Sequence, residues 1–120
     1  MILSLYADTV NDLGYPMTRQ EKEAILVDTE KYLRSYIRDL LRVPAALLPE
    51  TEPTADTDAM LPAPYDKLYT LSLEAEICRL AGELTRRELA RQQFNRLLLA
   101  LTLSIRINCP AEKGPDLKLF

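Results

Sequence analysis

The chain has 120 residues, a formal net charge of -3 and a pI of about 5.0, with 48% hydrophobic and 28% charged residues. These values describe one globular domain with a modest core, and they exclude a strongly basic field that would hold nucleic acid non-specifically. The absence of histidine excludes an imidazole base, a Ser-His-Asp triad and imidazole metal sites.

Glycine occurs only at Gly14, Gly82 and Gly114, too scattered for a phosphate-cradling loop. Cys78 and Cys109 form no CxxC motif. They read as reduced thiols of a cytosolic protein, the alternative being a disulfide that pins a helix to the C-terminal tail. The opening Met1-Ile-Leu-Ser-Leu-Tyr-Ala-Asp8 lacks a basic leader and a long apolar run, so no signal peptide is expected. The most apolar stretch, Leu97–Ile107, would span about 16 Å as a helix, half a bilayer, so no membrane crossing is expected.

In chain order, Ile2, Leu5, Tyr6, Val10 and Leu13 are spaced for a short helix over residues 2–13, closed by Asn11, Gly14 and Pro16. Thr18-Arg-Gln-Glu21 is a capping box opening a second helix that runs to about Arg42, ahead of Pro44. Its apolar stripe is expected to be Ile25, Tyr32, Leu33, Tyr36, Ile37, Leu40 and Leu41, with Glu30 and Arg34 as an i,i+4 ion pair. Residues 43–63 then form a Pro-rich loop whose charges are all acidic: Glu50, Glu52, Asp56 and Asp58. A loop of this length is often functional or disordered. Pro64-Tyr65-Asp66 opens a third helix, which carries two apolar stripes and stops at Gly82, a residue suited to the left-handed C′ position. The fourth helix covers about Glu83 to Asn108, with Phe94, Leu97, Leu98, Leu101 and Ile105 facing the core. Leu99, Leu103 and Ile107 lie on other sides of it.

The expected fold is therefore a small all-α, four-helix domain over residues 1–110. A long C-terminal αα-hairpin is its spine, and residues 111–120 form a tail.

No constellation of catalytic residues emerges. Glu74 and Glu76, two positions apart, point to different helix faces, and Glu76–Arg79 and Glu88–Arg91 have the spacing of surface ion pairs. The acidic stretch 50–58 lacks the glycine of a calcium loop. No enzyme activity, cofactor, metal or small-molecule substrate is expected. Arg79, Arg86, Arg87, Arg91 and Arg96 cluster near the hairpin turn, but the helices are too long for a helix-turn-helix, and acidic residues interleave with them. The surplus apolar residues Leu99, Leu103 and Ile107 suggest a surface covered by another subunit. The acidic Glu50, Glu52, Asp56 and Asp58, with Arg86, Arg87 and Arg91, are candidates for the polar part of that joint.

The run Leu61-Pro-Ala-Pro-Tyr-Asp-Lys-Leu-Tyr69 resembles a Pro-x-Pro-Tyr-Asp-x-Leu-Tyr signature of small prophage proteins grouped with the head–tail connector (adaptor, or head-completion) proteins of tailed bacteriophages. The residues carrying it are Pro62, Pro64, Tyr65, Asp66, Leu68 and Tyr69, followed by Gly82-Glu83 at the turn and Phe94-Asn95 in the second hairpin helix. The resemblance covers about residues 56–110. It implies a non-enzymatic virion assembly protein, made in the bacterial host cytoplasm. Such a protein forms a homo-oligomeric ring between the portal and the tail-completion proteins, around the DNA channel and in non-specific contact with packaged DNA. It further implies an acidic loop that is mobile until docking orders it. The alternative is a small helical prophage regulator that binds DNA or a host protein.

Overall fold

The computed structural model describes residues 1–10, 14–49 and 51–108. The chain forms an N-terminal 3-10 helix (Leu3–Thr9), α1 (Arg19–Ser35) continued by a π turn (Tyr36–Leu40), a 3-10 turn (Ala45–Leu47), α2 (Lys67–Leu80) and α3 (Leu84–Asn108). No strand occurs among the described residues, so the domain is all-α; one isolated antiparallel bridge pairs Ile2 with Asp58.

The first element is tighter than expected and ends at Thr9; residues 11–13 lie outside the described set. The amides of Leu3 and Ser4 donate away from the helix, to the carbonyls of Thr57 and Ala55, both at 2.9 Å. Three residues per turn stack Leu3 and Tyr6 on one buried edge.

Helix α1 starts at the capping box read from the sequence. The Thr18 hydroxyl accepts from the Glu21 amide at 3.1 Å, and the Glu21 carboxylate accepts from the Thr18 amide at 2.9 Å. That second bond, the larger cause, holds the Glu21 carboxyl below the usual carboxylate range. The buried face differs from the expected stripe. It consists of Leu26, Thr29, Glu30, Leu33 and Arg34, then Ile37 and Leu41, while Tyr32 and Leu40 are 51% and 68% exposed. The π turn explains the exchange at Leu40. The Leu41 amide donates to the Tyr36 carbonyl at 3.2 Å, an i→i+5 bond that advances the phase and brings Leu41 inward.

Helix α2 is entered through overlapping turns. The Tyr65 and Asp66 amides both donate to the Pro62 carbonyl, at 2.9 and 3.1 Å. It ends as the sequence indicates. Gly82 has φ +79°, its amide donates to Arg79, and the Glu83 amide donates back to the Cys78 carbonyl at 2.8 Å. These are the two bonds of a Schellman motif, and they reverse the chain into α3.

Helix α2 is the shared wall of the domain: the N-terminal 3-10 helix and α1 pack against it, and α3 runs along it. Its Leu68, Tyr69, Leu73, Ile77 and Cys78 are fully buried. From α3, Ala90 and Leu101 are buried, while Phe94, Leu97, Leu98 and Ile105 pack half-buried against the core. This is the seam expected from the sequence.

Residues 51–61 are tied to the rest of the fold by backbone and side-chain bonds. The Ala59 amide donates to the Met1 carbonyl at 3.0 Å, beside the Ala55 and Thr57 bonds to the N-terminal helix. Arg34 donates to the Thr51 carbonyl at 2.6 Å, and Lys31 pairs with Glu52 at 3.3 Å. Leu61 is buried in the core and Pro53 is buried as well. Long-range bonds to α1 and the N-terminus thus satisfy part of its backbone, which the loop composition alone did not indicate.

Candidate functional site

Helix α3 spans about 37 Å at 1.5 Å per residue and uses one side for the core. At 100° per residue, the side opposite that seam carries Leu89, Arg96, Leu99, Leu103 and Ile107. The four aliphatic residues are 55%, 59%, 51% and 76% exposed, respectively. Leu99, Leu103 and Ile107 form a ridge at i,i+4 spacing along the outer side of the helix, with Leu89 ten residues earlier on the same side, and no neighbour among the described residues covers it.

The arginines expected as one cluster fall on two sides. Arg96 is exposed toward the outer side, whereas Arg86 is exposed on a flank nearer α2, within electrostatic reach of Cys78. Arg87 and Arg91 instead line a cleft of about 320 Å³ between α2 and α3, with Leu71, Ser72, Glu76 and Phe94. Among the described residues none of these four arginines makes an ion pair, whereas Arg79 pairs with Glu76 as its spacing indicated. Glu88 and Arg91, despite the same spacing, form no ion pair.

The acidic candidates lie elsewhere. Glu52 and Asp58 are 80% and 82% exposed in their side chains; Glu52 pairs with Lys31, and Asp58 lies 3.9 Å from the Met1 amino group. Asp56 is exposed. Glu50 lies outside the described residues. Within one copy, none of the described acidic candidates is paired with an α3 arginine.

The Pro-x-Pro-Tyr-Asp-x-Leu-Tyr run holds the fold together at this point. The Asp66 carboxylate accepts from the Tyr6 hydroxyl at 3.0 Å, tying α2 to the N-terminal helix. Burial, then the bond to Asp66, pushes the Tyr6 phenol up to about 12. Leu68 and Tyr69 are fully buried, Tyr65 is half-buried, and Pro62 and Pro64 are exposed in the turn that precedes α2. Gly82 and Glu83 supply the reversal described above, Phe94 packs against the core edge, and Asn95 is exposed at the cleft.

Sequence reasoning missed what Tyr69 does. Its hydroxyl donates a very short bond to the fully buried carboxylate of Glu30 and accepts from the Leu61 amide at 3.3 Å. Glu30 also accepts from the Arg34 Nε at 2.9 Å and, more weakly, from the Met60 amide at 3.4 Å. Burial, then the Glu30 bond, drives the Tyr69 phenol far above its ordinary range. The network clamps residues 51–61 onto α1 and α2. Its one sequence signal was the Glu30–Arg34 spacing, which reads equally well as a solvated pair.

The described residues contain no group of three or more His, Cys, Asp or Glu able to hold a metal ion. None of their helices is long and apolar enough to cross a membrane. Cys78 is a buried thiol, pushed above its ordinary range chiefly by burial; Cys109, its alternative disulfide partner, lies outside the described residues. No family model, curated protein or solved structure matches the chain.

Proposed function

We propose that this chain is a non-enzymatic assembly protein of the head–tail connector type. In this reading it forms a homo-oligomeric ring around the DNA channel between portal and tail-completion proteins. It acts in the virion, after assembly in the host cytoplasm. The observation that carries this reading is the uncovered α3 ridge, Leu99, Leu103 and Ile107, opposite the core seam. Covering such side chains returns about 1–2 kcal/mol each, since between half and three-quarters of each is exposed. An exposed row of this kind marks an interaction surface. The resemblance of residues 56–110 to connector proteins supplies the kind of assembly.

The competing reading, a small prophage regulator, draws on the unpaired Arg86 and Arg96. A regulator would form a stable dimer and retain a specific duplex with a steep salt dependence. The deciding measurement is absolute mass in solution over a concentration series, with and without a portal protein. A connector gives ring-sized species that the Leu99→Lys, Leu103→Lys double variant abolishes while its melting temperature is kept. A discrete dimer that shifts one duplex, and is unaffected by those lysines, overturns the connector reading.

A further inference from the structure

The cleft between α2 and α3 holds two cations without counter-charges. Arg87 and Arg91 line it one helical turn apart, about 6 Å along the axis, and neither makes an ion pair among the described residues. Glu76 also lines the cleft, but its carboxylate already accepts from the Arg79 Nε at 2.9 Å. Leu71, Ala75 and Phe94 make its apolar part. A space of about 320 Å³ with this lining suits a narrow segment with small side chains and two neighbouring carboxylates. The same molecule carries such a segment, Thr54-Ala-Asp-Thr-Asp58, within a stretch, residues 43–63, that has no Lys or Arg. Asp56 and Asp58 are both exposed. Two residues apart, their Cα atoms are separated by at most about 7 Å, close to the spacing of the two arginines. The segment is also held in place: the Ala55 and Thr57 carbonyls accept from the Ser4 and Leu3 amides, both at 2.9 Å.

We infer that a second copy of this chain inserts its 54–58 turn into the α2–α3 cleft, so that Asp56 and Asp58 meet Arg87 and Arg91. The inference rests on the assembly reading above and names a polar joint for it, separate from the ridge. Within one copy the segment is bonded to the N-terminal helix and pairs with neither arginine, so the contact forms between copies. Cleft and turn are different surfaces, and each copy offers one of each. The contact is therefore heterologous and repeats head to tail, which is the arrangement a ring requires. Opposite charges fix its register and speed encounter, and like charges brought together reject the wrong pairing. Asp58 gives up only its contact with the Met1 amino group at 3.9 Å, and an exposed pair of that kind is worth little. Inside the cleft, with less water around it, the same carboxylate interacts more strongly with an arginine.

A charge exchange on the full chain tests the joint. One variant carries Arg87→Glu and Arg91→Glu, the other Asp56→Lys and Asp58→Lys. Circular-dichroism melts first compare each with the parent. Arg87 is half-buried, so if the first variant melts early, Arg91→Glu alone, at an exposed position, is tested against Asp58→Lys instead. Each variant by itself is expected to need at least about tenfold more protein to assemble than the parent, because like charges meet at every joint. An equimolar mixture is expected to assemble again near the parent concentration, with the two variants alternating. If both variants assemble like the parent, or if each fails and the mixture does not recover, the named joint is wrong. If only the arginine variant fails, the cleft takes an acidic group other than this turn, and the second copy's Asp56 and Asp58 are excluded. Those results leave parental assembly intact. A parent that stays monomeric at every concentration, with and without portal, overturns the assembly reading together with this joint.

Discussion

Tyr69 shows how one side chain serves two segments at once. Its ring fills the core beside Tyr6, with centroids 5.2 Å apart, and its hydroxyl closes the Glu30 network. Tyr69→Phe keeps the ring but leaves a buried carboxylate and the Leu61 amide short of a partner. It is expected to cost about 1–3 kcal/mol in denaturant titration. Glu30→Ala is expected to cost more, about 3–5 kcal/mol, because Arg34 then stays buried without its counter-charge. A smaller loss for Glu30→Ala than for Tyr69→Phe would show that Arg34 escapes to water.

The two phenols also set a pH limit. Tyr6 is raised from an ordinary value near 10 to about 12, and Tyr69 is raised further in the same direction. Both are protonated in the fold, so their contribution is fully present below pH 10. It is lost as the pH rises toward 12, because the unfolded chain gives up those protons first. Thermal stability is expected to fall steadily across that window, and less steeply in Tyr69→Phe, where one of the two groups is gone.

Among the elements, the hairpin was the most legible from sequence. Gly82 marked its turn, and the period of Phe94, Leu97, Leu98, Leu101 and Ile105 marked its seam, because capping and periodicity are local signals. The stripe of α1 was less legible. The π turn rotates Leu40 outward and Leu41 inward, and no local residue type announces an i→i+5 bond. The anchoring of residues 51–61 was illegible, since it depends on partners seventeen or more positions away, such as Arg34 with Thr51 and Glu30 with Met60. Of the candidate surface, the ridge followed from the helix period. The division of Arg86 and Arg96 from Arg87 and Arg91 needed the position of the α2–α3 cleft. Phe94 borders that cleft and is half-buried, so Phe94→Ala is expected to cost about 2 kcal/mol, below the 3–5 kcal/mol of a fully enclosed ring. A calorimetric loss above about 4 kcal/mol would place the ring deeper in the hairpin seam.

Taken whole, the molecule separates what holds it together from what it presents. Polar bonds to Glu30, Arg34 and Asp66 lie inside, and the aliphatic row of α3 lies outside. Leu99→Lys with Leu103→Lys is therefore expected to change monomer stability by no more than about 0.5 kcal/mol. A larger change would mean that the row supports the core.

The clamp on residues 51–61 has a kinetic consequence. A surface whose main chain is already fixed gives up little conformational freedom when it meets another molecule. If the proposed assembly uses this segment, stopped-flow mixing is expected to follow simple second-order growth at about 10⁵–10⁷ M⁻¹s⁻¹. A slow concentration-independent phase would instead show that residues 51–61 have to organise before they meet a partner.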